Sequence, residues 1–311
     1  MLRTTKQTAL FFAWAAILLL SISGSASAAV TTHTGSLPDG ATFLIEVPSP
    51  WNGTLLLYSH GYVTPGSANP ARDVGDPGTR VFLLANGFAL AGSSYATTGW
   101  AIHEALPDQI AVLDLFQTMV GKPTTTIAWG HSLGGIITAG LIQRFPNRFD
   151  AAMPMCGVLS GGVATWNQAL DGAFAFKTLV AFGSGLQVVH ITSPNTNFVL
   201  SEQLLAAAQA TPQGRARIAL AAALGDTPGW FNSALPEPAA NDFATREANQ
   251  FLWFQQVDFP FIFAFRAELE LRAGGNPSNN ARVDYREQLE HAVAVDRAEV
   301  RALYQQAGLS L

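Results

Sequence analysis

The segment that most restricts how this chain can fold is the turn Gly130-His-Ser132-Leu-Gly134-Gly. The β-branched run Thr124 to Trp129 before it predicts a strand, and Ile136 to Arg144 after it predicts a helix. Glycine at positions 130 and 134 lets neighbouring backbone pass close to the turn, because glycine has no Cβ. A sharp strand-to-helix turn of this kind exposes a serine hydroxyl at the positive end of a helix dipole. The pattern predicts a nucleophilic Ser132; a serine that only caps the helix is the alternative.

The sequence on both sides of this turn alternates between strand and helix patterns. Residues 30–47 predict a hairpin, because two strand-like runs flank the turn Pro38-Asp39-Gly40. Leu106 to Val120 has apolar residues at helical spacing. The remaining strand candidates are apolar runs, namely Thr54 to Ser59, Phe88 to Ser93 and Ala151 to Val158. This alternation predicts an α/β fold whose mostly parallel sheet is flanked by helices.

Beyond Gly162 the pattern changes, and no further strand is predicted. Four helices are predicted there: Ser201 to Ala223, Asp242 to Gln256, Asp258 to Ala273 and Tyr285 to Ala307. Four alternating phenylalanines at 259, 261, 263 and 265 hint at a strand, but the start at Asp258-Pro260 and the stop at Gly274 favour a helix. The sequence is therefore divided into a core at 29–160 and a helical region at 161–311.

The N-terminus has the pattern of an export signal. Arg3 and Lys6 precede an uncharged apolar run from Ala9 to Leu20, and Ala26-Ser27-Ala28 matches an A-x-A cleavage site. The run is short for a membrane span, which needs about 20 residues. We therefore predict a signal peptide at 1–28 that is cleaved between Ala28 and Ala29, and a secreted product without a stable membrane span. An uncleaved membrane anchor is the alternative.

Composition excludes several classes of protein. Apolar residues make up 49% of the chain and charged residues 13%, so a large core can form. The net charge of −5 and the absence of a basic stripe argue against a nucleic-acid partner. The single cysteine, Cys156, excludes an intrachain disulfide. No clustered metal ligands and no dinucleotide-binding fingerprint are found, so the sequence predicts neither a metal nor an organic cofactor.

A second motif, His60-Gly61-Tyr62, follows the third predicted strand. Acyl transfer needs two N–H donors aimed at the developing oxyanion. One is expected from the residue after the nucleophile, Leu133, and the other from the loop after the third strand, for which Tyr62 is the best candidate. His60 is predicted to brace this loop, with a role as catalytic base as the alternative. Tyr95 and Trp100 follow the fourth strand and are candidate substrate contacts.

These motifs resemble those of the α/β-hydrolase superfamily. The resemblance rests on LLLYSHGY, TTTIAWGHSLGG and LIQRFPNRFDAAMPMCGV, and it covers roughly residues 40–160. Within this superfamily, the chain is similar to the secreted bacterial esterases and lipases that carry a helical cap. The resemblance implies a nucleophile at Ser132 and oxyanion donors at Tyr62 and Leu133. The residues that it implies as a supporting motif are His60, Gly61, Gly130, His131 and Gly134.

The implied function is a serine hydrolase that acts on a small-molecule or polymeric carboxylic ester through an acyl-enzyme. In that family the acid and the histidine follow the serine. Only His190 and His291 follow Ser132, the first too early and the second inside a predicted helix one turn after Glu287. The expectation is that the C-terminal core strands are missing. The alternatives are a base drawn from those two histidines, a catalytically incomplete protein, or a serine peptidase or acyltransferase.

Overall fold

The computed structural model describes residues 29–311, so the predicted signal peptide lies outside the described residues. Six strands form one sheet: β1 (Ala29–Ser36), β2 (Thr42–Ser49), β3 (Thr54–Ser59), β4 (Ala89–Ser93), β5 (Thr125–His131) and β6 (Ala151–Met155). Their order across the sheet is β1-β2-β4-β3-β5-β6. The first two strands form the predicted hairpin, and β2 pairs antiparallel with β4. All other pairs are parallel, which confirms the predicted mostly parallel sheet.

Helices flank this sheet and continue beyond it. The first three are α1 (Pro77–Ala85), α2 (Ile102–Met119) and α3 (Leu133–Arg144), with a short 3-10 turn at Pro146–Arg148. The others are α4 (Gly162–Leu179), α5 (Pro194–Gln209), α6 (Pro212–Leu224), α7 (Phe243–Trp253), α8 (Arg266–Ala273), α9 (Tyr285–His291) and α10 (Ala294–Gln306). Within residues 29–311 no helix is both long and apolar enough to cross a bilayer.

The apolar runs of the sequence form the centre of the sheet. Every residue of β4 is buried, and in β3 only Thr54 is partly accessible. Helix α2 covers the sheet with apolar side chains: Leu113 and Phe116 pack in one cluster with Leu55 and Leu57 of β3. Because both faces of these strands are buried, their sequences are continuous apolar runs and do not alternate between apolar and polar residues.

Several helix boundaries differ from the prediction. The predicted helix at 201–223 is two helices, because Thr211 caps a new helix that begins with Pro212. The predicted helix at 285–307 is broken after His291, where Ala292 leaves the helical conformation. α4 was not predicted by the sequence patterns, and α2 begins four residues before its predicted start at Leu106.

The phenylalanine-rich segment is helical, as predicted, with π-helical turns at Phe254–Asp258 and Phe261–Phe265. Its alternating pattern has a helical explanation. Phe259 and Phe263 meet at 4.8 Å on one face and pack in the core of the helical region. Phe261 and Phe265 meet at 5.2 Å on another face and pack against Tyr62 of the sheet domain. A helix with two apolar faces therefore has phenylalanine at every second position, the same sequence pattern as a strand.

Candidate active site

Ser132 occupies a strained position between β5 and α3. Its backbone has φ 56° and ψ −119°, a conformation that non-glycine residues rarely adopt. Its N–H donates to the Met155 carbonyl oxygen at 3.0 Å, and its own carbonyl accepts from Gly135 N–H at 2.9 Å. Such strain costs about 1–3 kcal/mol and persists only where the surroundings impose it. Here the end of β6 and the first turn of α3 impose it.

The two glycines of the turn are required by close backbone contacts. A Cβ on Gly134 would lie 2.6 Å from the Ser59 carbonyl carbon and 2.9 Å from the His60 carbonyl oxygen. A Cβ on Gly130 would lie 2.6 Å from the Gly134 carbonyl oxygen. No side chain fits at these distances. The end of β3 is therefore pressed directly against the turn that carries Ser132.

This contact brings the loop after β3 beside the serine. A Cβ on Gly61 would lie 3.6 Å from the Cβ of Ser132, so the two backbones are neighbours. Tyr62 follows in the same loop, and its ring stacks on Phe265 with 4.8 Å between centroids. Leu133 opens α3, where N–H groups have no partner within the helix. The structure thus places the loop residue, the serine and the helix start side by side.

His60 and Tyr95 form a buried pair behind this loop. The rings stack at 3.9 Å, and His60 is 3% exposed. Its Nδ1 lies 2.7 Å from the Gly61 carbonyl oxygen and its Nε2 lies 3.2 Å from the Ser94 carbonyl oxygen. Burial lowers the pKa of the imidazole, which favours its neutral form.

The expectation that Tyr95 contacts substrate needs correction. Tyr95 is 2% exposed, and its hydroxyl donates to the His60 carbonyl oxygen at 3.0 Å. It does not line the cavity beside Ser132. Because its ring and hydroxyl are both engaged with His60, Tyr95 supports the loop instead of facing a ligand.

A cavity of about 470 Å³ opens beside Ser132. Trp100 lies in its wall, as expected for a substrate contact, and so does Cys156 at the end of β6. The rest of the wall comes mainly from the helical region, with aromatic side chains of α4, α7 and the π-helical turns; these include Trp166, Trp253, Phe254 and Phe261. Ligand sites are typically concave and apolar, and this cavity has both properties.

Asp258, which the sequence pattern places only at a helix end and not after a strand, is also part of this cavity wall. Its Oδ1 accepts from Trp253 Nε1 at 2.9 Å and its Oδ2 accepts from Thr227 Oγ1 at 3.2 Å. Burial raises the pKa of Asp258 to about 6, and these two hydrogen bonds partly oppose that rise. The sequence indicates only a helix start at Asp258-Pro260, because the cavity forms where residues of α4, α7 and the π-helical turns come beside Ser132 in the folded chain.

The histidines are not gathered around Ser132. His131 points its Nδ1 at the Tyr58 hydroxyl, 3.2 Å away. His190 is exposed, and His291 has a 79% exposed side chain whose nearest carboxylate, that of Glu287, lies 3.8 Å away. Within residues 29–311 no histidine lines the Ser132 cavity, and no three His, Cys, Asp or Glu side chains group as a metal site.

The loop that carries Tyr62 is attached to β2 through a buried carboxyl pair. Asp73 is 2% exposed and faces Glu46, to which Arg80 donates through its Nε at 2.5 Å. Burial first, and then the Glu46 charge, raises the pKa of Asp73 to about 7. Burial also raises the pKa of Glu46, but the hydrogen bonds with Arg80 and Asp73 outweigh it, so that the pKa of Glu46 is lowered. Between pH 3.8 and about 7, Asp73 therefore keeps its proton in the folded protein, whereas the same group has lost its proton in the unfolded chain.

This difference predicts that Asp73→Asn stabilises the protein at pH 8 more than at pH 5. The pKa of Asp73 is higher in the folded state, about 7 against 3.8, so its ionisation destabilises the fold progressively as pH rises through this window. An asparagine amide can donate to Glu46 as the protonated acid does, without ionising. We expect the melting temperature at pH 8 to rise by a few degrees, and thermal melts at both pH values measure it. An equal shift at both pH values, or the same shift in the exposed control Glu237→Gln, would contradict this.

The relatives found by comparison with known proteins are distant. No protein-family model matches the chain. It is 28% identical over 326 aligned positions to an o-phthalyl amidase of Xanthobacter agilis, a match that covers 91% of this chain and 66% of that protein. The chain thus spans slightly less than two thirds of this relative.

Similar solved structures include an acetyl xylan esterase from Aspergillus awamori, with 16% identity over 45% of this chain and 60% of the other at a TM-score of 0.36. An S-formylglutathione hydrolase from Staphylococcus aureus has 16% identity over 42% and 59% of the two chains at a TM-score of 0.31.

Proposed function

We propose that this chain, whose sheet and flanking helices have the α/β-hydrolase fold, is a serine hydrolase that cleaves carboxylic esters through an acyl-enzyme on Ser132. The observation that carries the proposal is the strained φ of 56° at Ser132, at a strand-to-helix turn that opens into an apolar cavity. A helix-capping serine needs no such conformation, since N-cap residues adopt extended backbone. No side-chain cap hydrogen bond from Ser132 is present either.

In the proposed reaction Ser132 Oγ attacks the carbonyl carbon of the ester, and the carbonyl oxygen becomes an oxyanion. The N–H groups of Tyr62 and Leu133 donate to that oxyanion, helped by the N-terminus of α3. The tetrahedral intermediate collapses, the bond between the acyl carbon and the alkoxide oxygen breaks, and the alcohol departs with the proton that Ser132 has lost, which leaves an acyl group on Ser132. Water then attacks this acyl carbon and releases the acid, so that the serine is regenerated.

A serine hydroxyl needs a base to take its proton. The resemblance to α/β-hydrolases implies a histidine that follows the nucleophile, and His190 and His291 are the two that do so. They are the first histidines to substitute. His60 is less suited, because both of its ring nitrogens are already directed at backbone carbonyl oxygens.

A serine-directed fluorophosphonate tests the proposal directly. We expect one covalent adduct per chain, located on Ser132 by peptide mass spectrometry. Ser132→Ala is expected to remain unlabelled, whereas Ser160→Ala, which changes an exposed serine five residues after β6, is expected to label normally. A folded protein that does not react at Ser132 would contradict the proposed function.

Amide hydrolysis is a second candidate, favoured by the amidase relative that matches 91% of the chain. Ester and amide cleavage share the acyl-enzyme, but an amine leaves only after protonation, so an amidase also needs a well-placed general acid. Matched substrates with one aromatic acyl group, a p-nitrophenyl ester and a p-nitroanilide, separate the two. Comparable kcat/KM on both would indicate an amidase, and activity on the ester alone would indicate an esterase.

Secretion is part of the proposal and has its own test. The support is the sequence pattern at 1–28, in particular Ala26-Ser27-Ala28 before Ala29. We expect the full-length gene product to be exported and its mature N-terminus, read by mass spectrometry, to be Ala29. Recovery of an intact Met1 chain from the cell interior would contradict it.

A further inference from the structure

The charged side chains in the wall of the Ser132 cavity are all acidic. Two carboxylic acids, Asp226 and Asp258, lie in its wall, and none of the wall residues in the described part of the chain is a lysine, an arginine or a histidine. The guanidinium of Arg266 lies 5.6 Å from the centroid of the Trp166 ring, which is part of the wall. Its charge is compensated by Glu270, at 2.9 Å. An anionic ligand would therefore meet no counter-charge in this cavity.

Asp258 is held in one orientation by two donors. Trp253 Nε1 fixes Oδ1 at 2.9 Å and Thr227 Oγ1 fixes Oδ2 at 3.2 Å. Each carboxylate oxygen can accept a second hydrogen bond, so lone pairs remain for a ligand. The carboxylate is thus a pre-oriented, partly buried acceptor in a mostly apolar wall, where its attraction for a positive charge is stronger than in bulk water.

The aromatic wall suits the same kind of ligand. Trp100, Trp166 and Trp253 all line the cavity, and tryptophan is the aromatic residue that attracts a cation most strongly through its ring face. The indole N–H of Trp100 is also buried without a hydrogen-bond partner among the described residues. The wall of the cavity thus combines tryptophan rings with one fixed anionic acceptor, the carboxylate of Asp258.

We infer that the Ser132 cavity selects substrates whose apolar, aryl-containing part carries a protonated amine, with Asp258 as the residue that binds the ammonium group. The inference rests on the proposed function for the reaction itself, and it adds the class of substrate. It separates Asp258 from the catalytic machinery and makes it a specificity-determining residue. A neutral aryl ester fills the same cavity but leaves the carboxylate without a partner.

Binding can be measured without any catalysis. Quenching of tryptophan fluorescence, excited at 295 nm, reports the Kd of three matched probes: 2-phenylethylamine, 2-phenylethanol and 3-phenylpropionate. We expect the amine to bind at least about tenfold more tightly than the alcohol, and the carboxylate most weakly. Asp258→Asn keeps an acceptor for Trp253 and a donor for Thr227, so the wall is preserved. In this variant the amine is expected to lose its advantage, while Kd for the alcohol stays within about twofold.

Glu237→Gln removes an equal charge from an exposed position outside the cavity and is the matched control, expected to bind like the wild type. Tighter binding of the carboxylate probe than of the amine would overturn the inference. Equal binding of amine and alcohol in the wild type would overturn it as well, and so would an unchanged amine preference in Asp258→Asn.

A catalytic measurement distinguishes failure of the inference from failure of the proposed function. The substrates are the p-nitrophenyl esters of phenylalanine, which carries the ammonium group, and of 3-phenylpropionate, each corrected for its spontaneous hydrolysis. We expect kcat/KM to favour the phenylalanine ester at least about tenfold, with the preference lost in Asp258→Asn. Hydrolysis of both esters without this preference refutes the inference alone. No hydrolysis of either ester refutes the proposed function, and the fluorescence titration still decides the inference.

Discussion

Replacing Ser132 by alanine lowers kcat/KM for p-nitrophenyl esters by at least ~10³-fold, which is the largest effect that we expect from any single substitution in this chain. Alanine keeps the Cβ and removes only the attacking Oγ, so the turn and the Tyr62 loop stay in place. The strained backbone at φ 56° is the same in the wild type and in the variant, because the contacts of residue 132 with Met155 and Gly135 are made by the main chain. Steady-state rates on purified residues 29–311 measure the effect.

The size of the loss also shows whether a general base within this chain acts on Ser132. Residues that act together in catalysis are strongly non-additive: once the base is absent, removal of the nucleophile costs little more. A loss of ~10³-fold or more therefore means that a base within this chain works with Ser132, and His190→Ala and His291→Ala then identify it. A loss below tenfold would contradict the prediction, and Ser160→Ala with wild-type rates excludes a general effect of changing a serine.

The local features of the site could be predicted from the sequence. A glycine-flanked serine between a β-branched run and an amphipathic run has few other structural solutions, and the structure places Ser132 at that turn. The parallel strands were predictable for the same reason, because burial on both faces requires continuous apolar runs such as Leu55 to Tyr58. The predicted α/β fold, a mostly parallel sheet flanked by helices, is confirmed.

The walls of the cavity could not be predicted, because they depend on contacts between distant parts of the chain. Asp258 faces the cavity of a serine 126 positions earlier only because α4, α7 and the π-helical turns pack over the carboxyl ends of the strands. Tyr95 is the opposite case, a residue that the sequence places at the site but that is buried in the structure. It follows β4, where loops of parallel sheets commonly border the site, but stacking on His60 turns its ring into the core.

The phenylalanine segment shows where local pattern and packing disagree. A period of two along Phe259 to Phe265 is typical of a strand, yet the contacts join residues four apart. One pair fills the core of the helical region, and the other packs against the Tyr62 loop. The segment therefore connects the helical region to the loop that is proposed to hold the oxyanion, a connection that no periodicity could reveal.

Gly134→Ala is expected to have the second largest effect, on stability and on activity together. The added Cβ would overlap the main chain of Ser59 and His60, with 2.6 Å to the Ser59 carbonyl carbon. Neither is a flexible side chain, so β3 and the loop after it must move away from the turn. Overpacking of this kind costs about 1–3 kcal/mol, and a contact with backbone belongs at the upper end. A melting temperature lower by roughly 5 °C follows for a chain of this size.

Activity should fall further than stability alone explains. A displacement of about 1 Å between Ser132 and the oxyanion donors costs on the order of 10²-fold in rate, even in molecules that remain folded. Gly140→Ala on the same helix is the matched control, since its Cβ meets only the flexible Cδ2 of Leu106 at 3.1 Å and gains helix propensity. Thermal melts and rates below the transition measure both effects. If Gly134→Ala melted and reacted like Gly140→Ala, the close approach of β3 to the nucleophile turn would not be what holds Ser132 beside the Tyr62 loop.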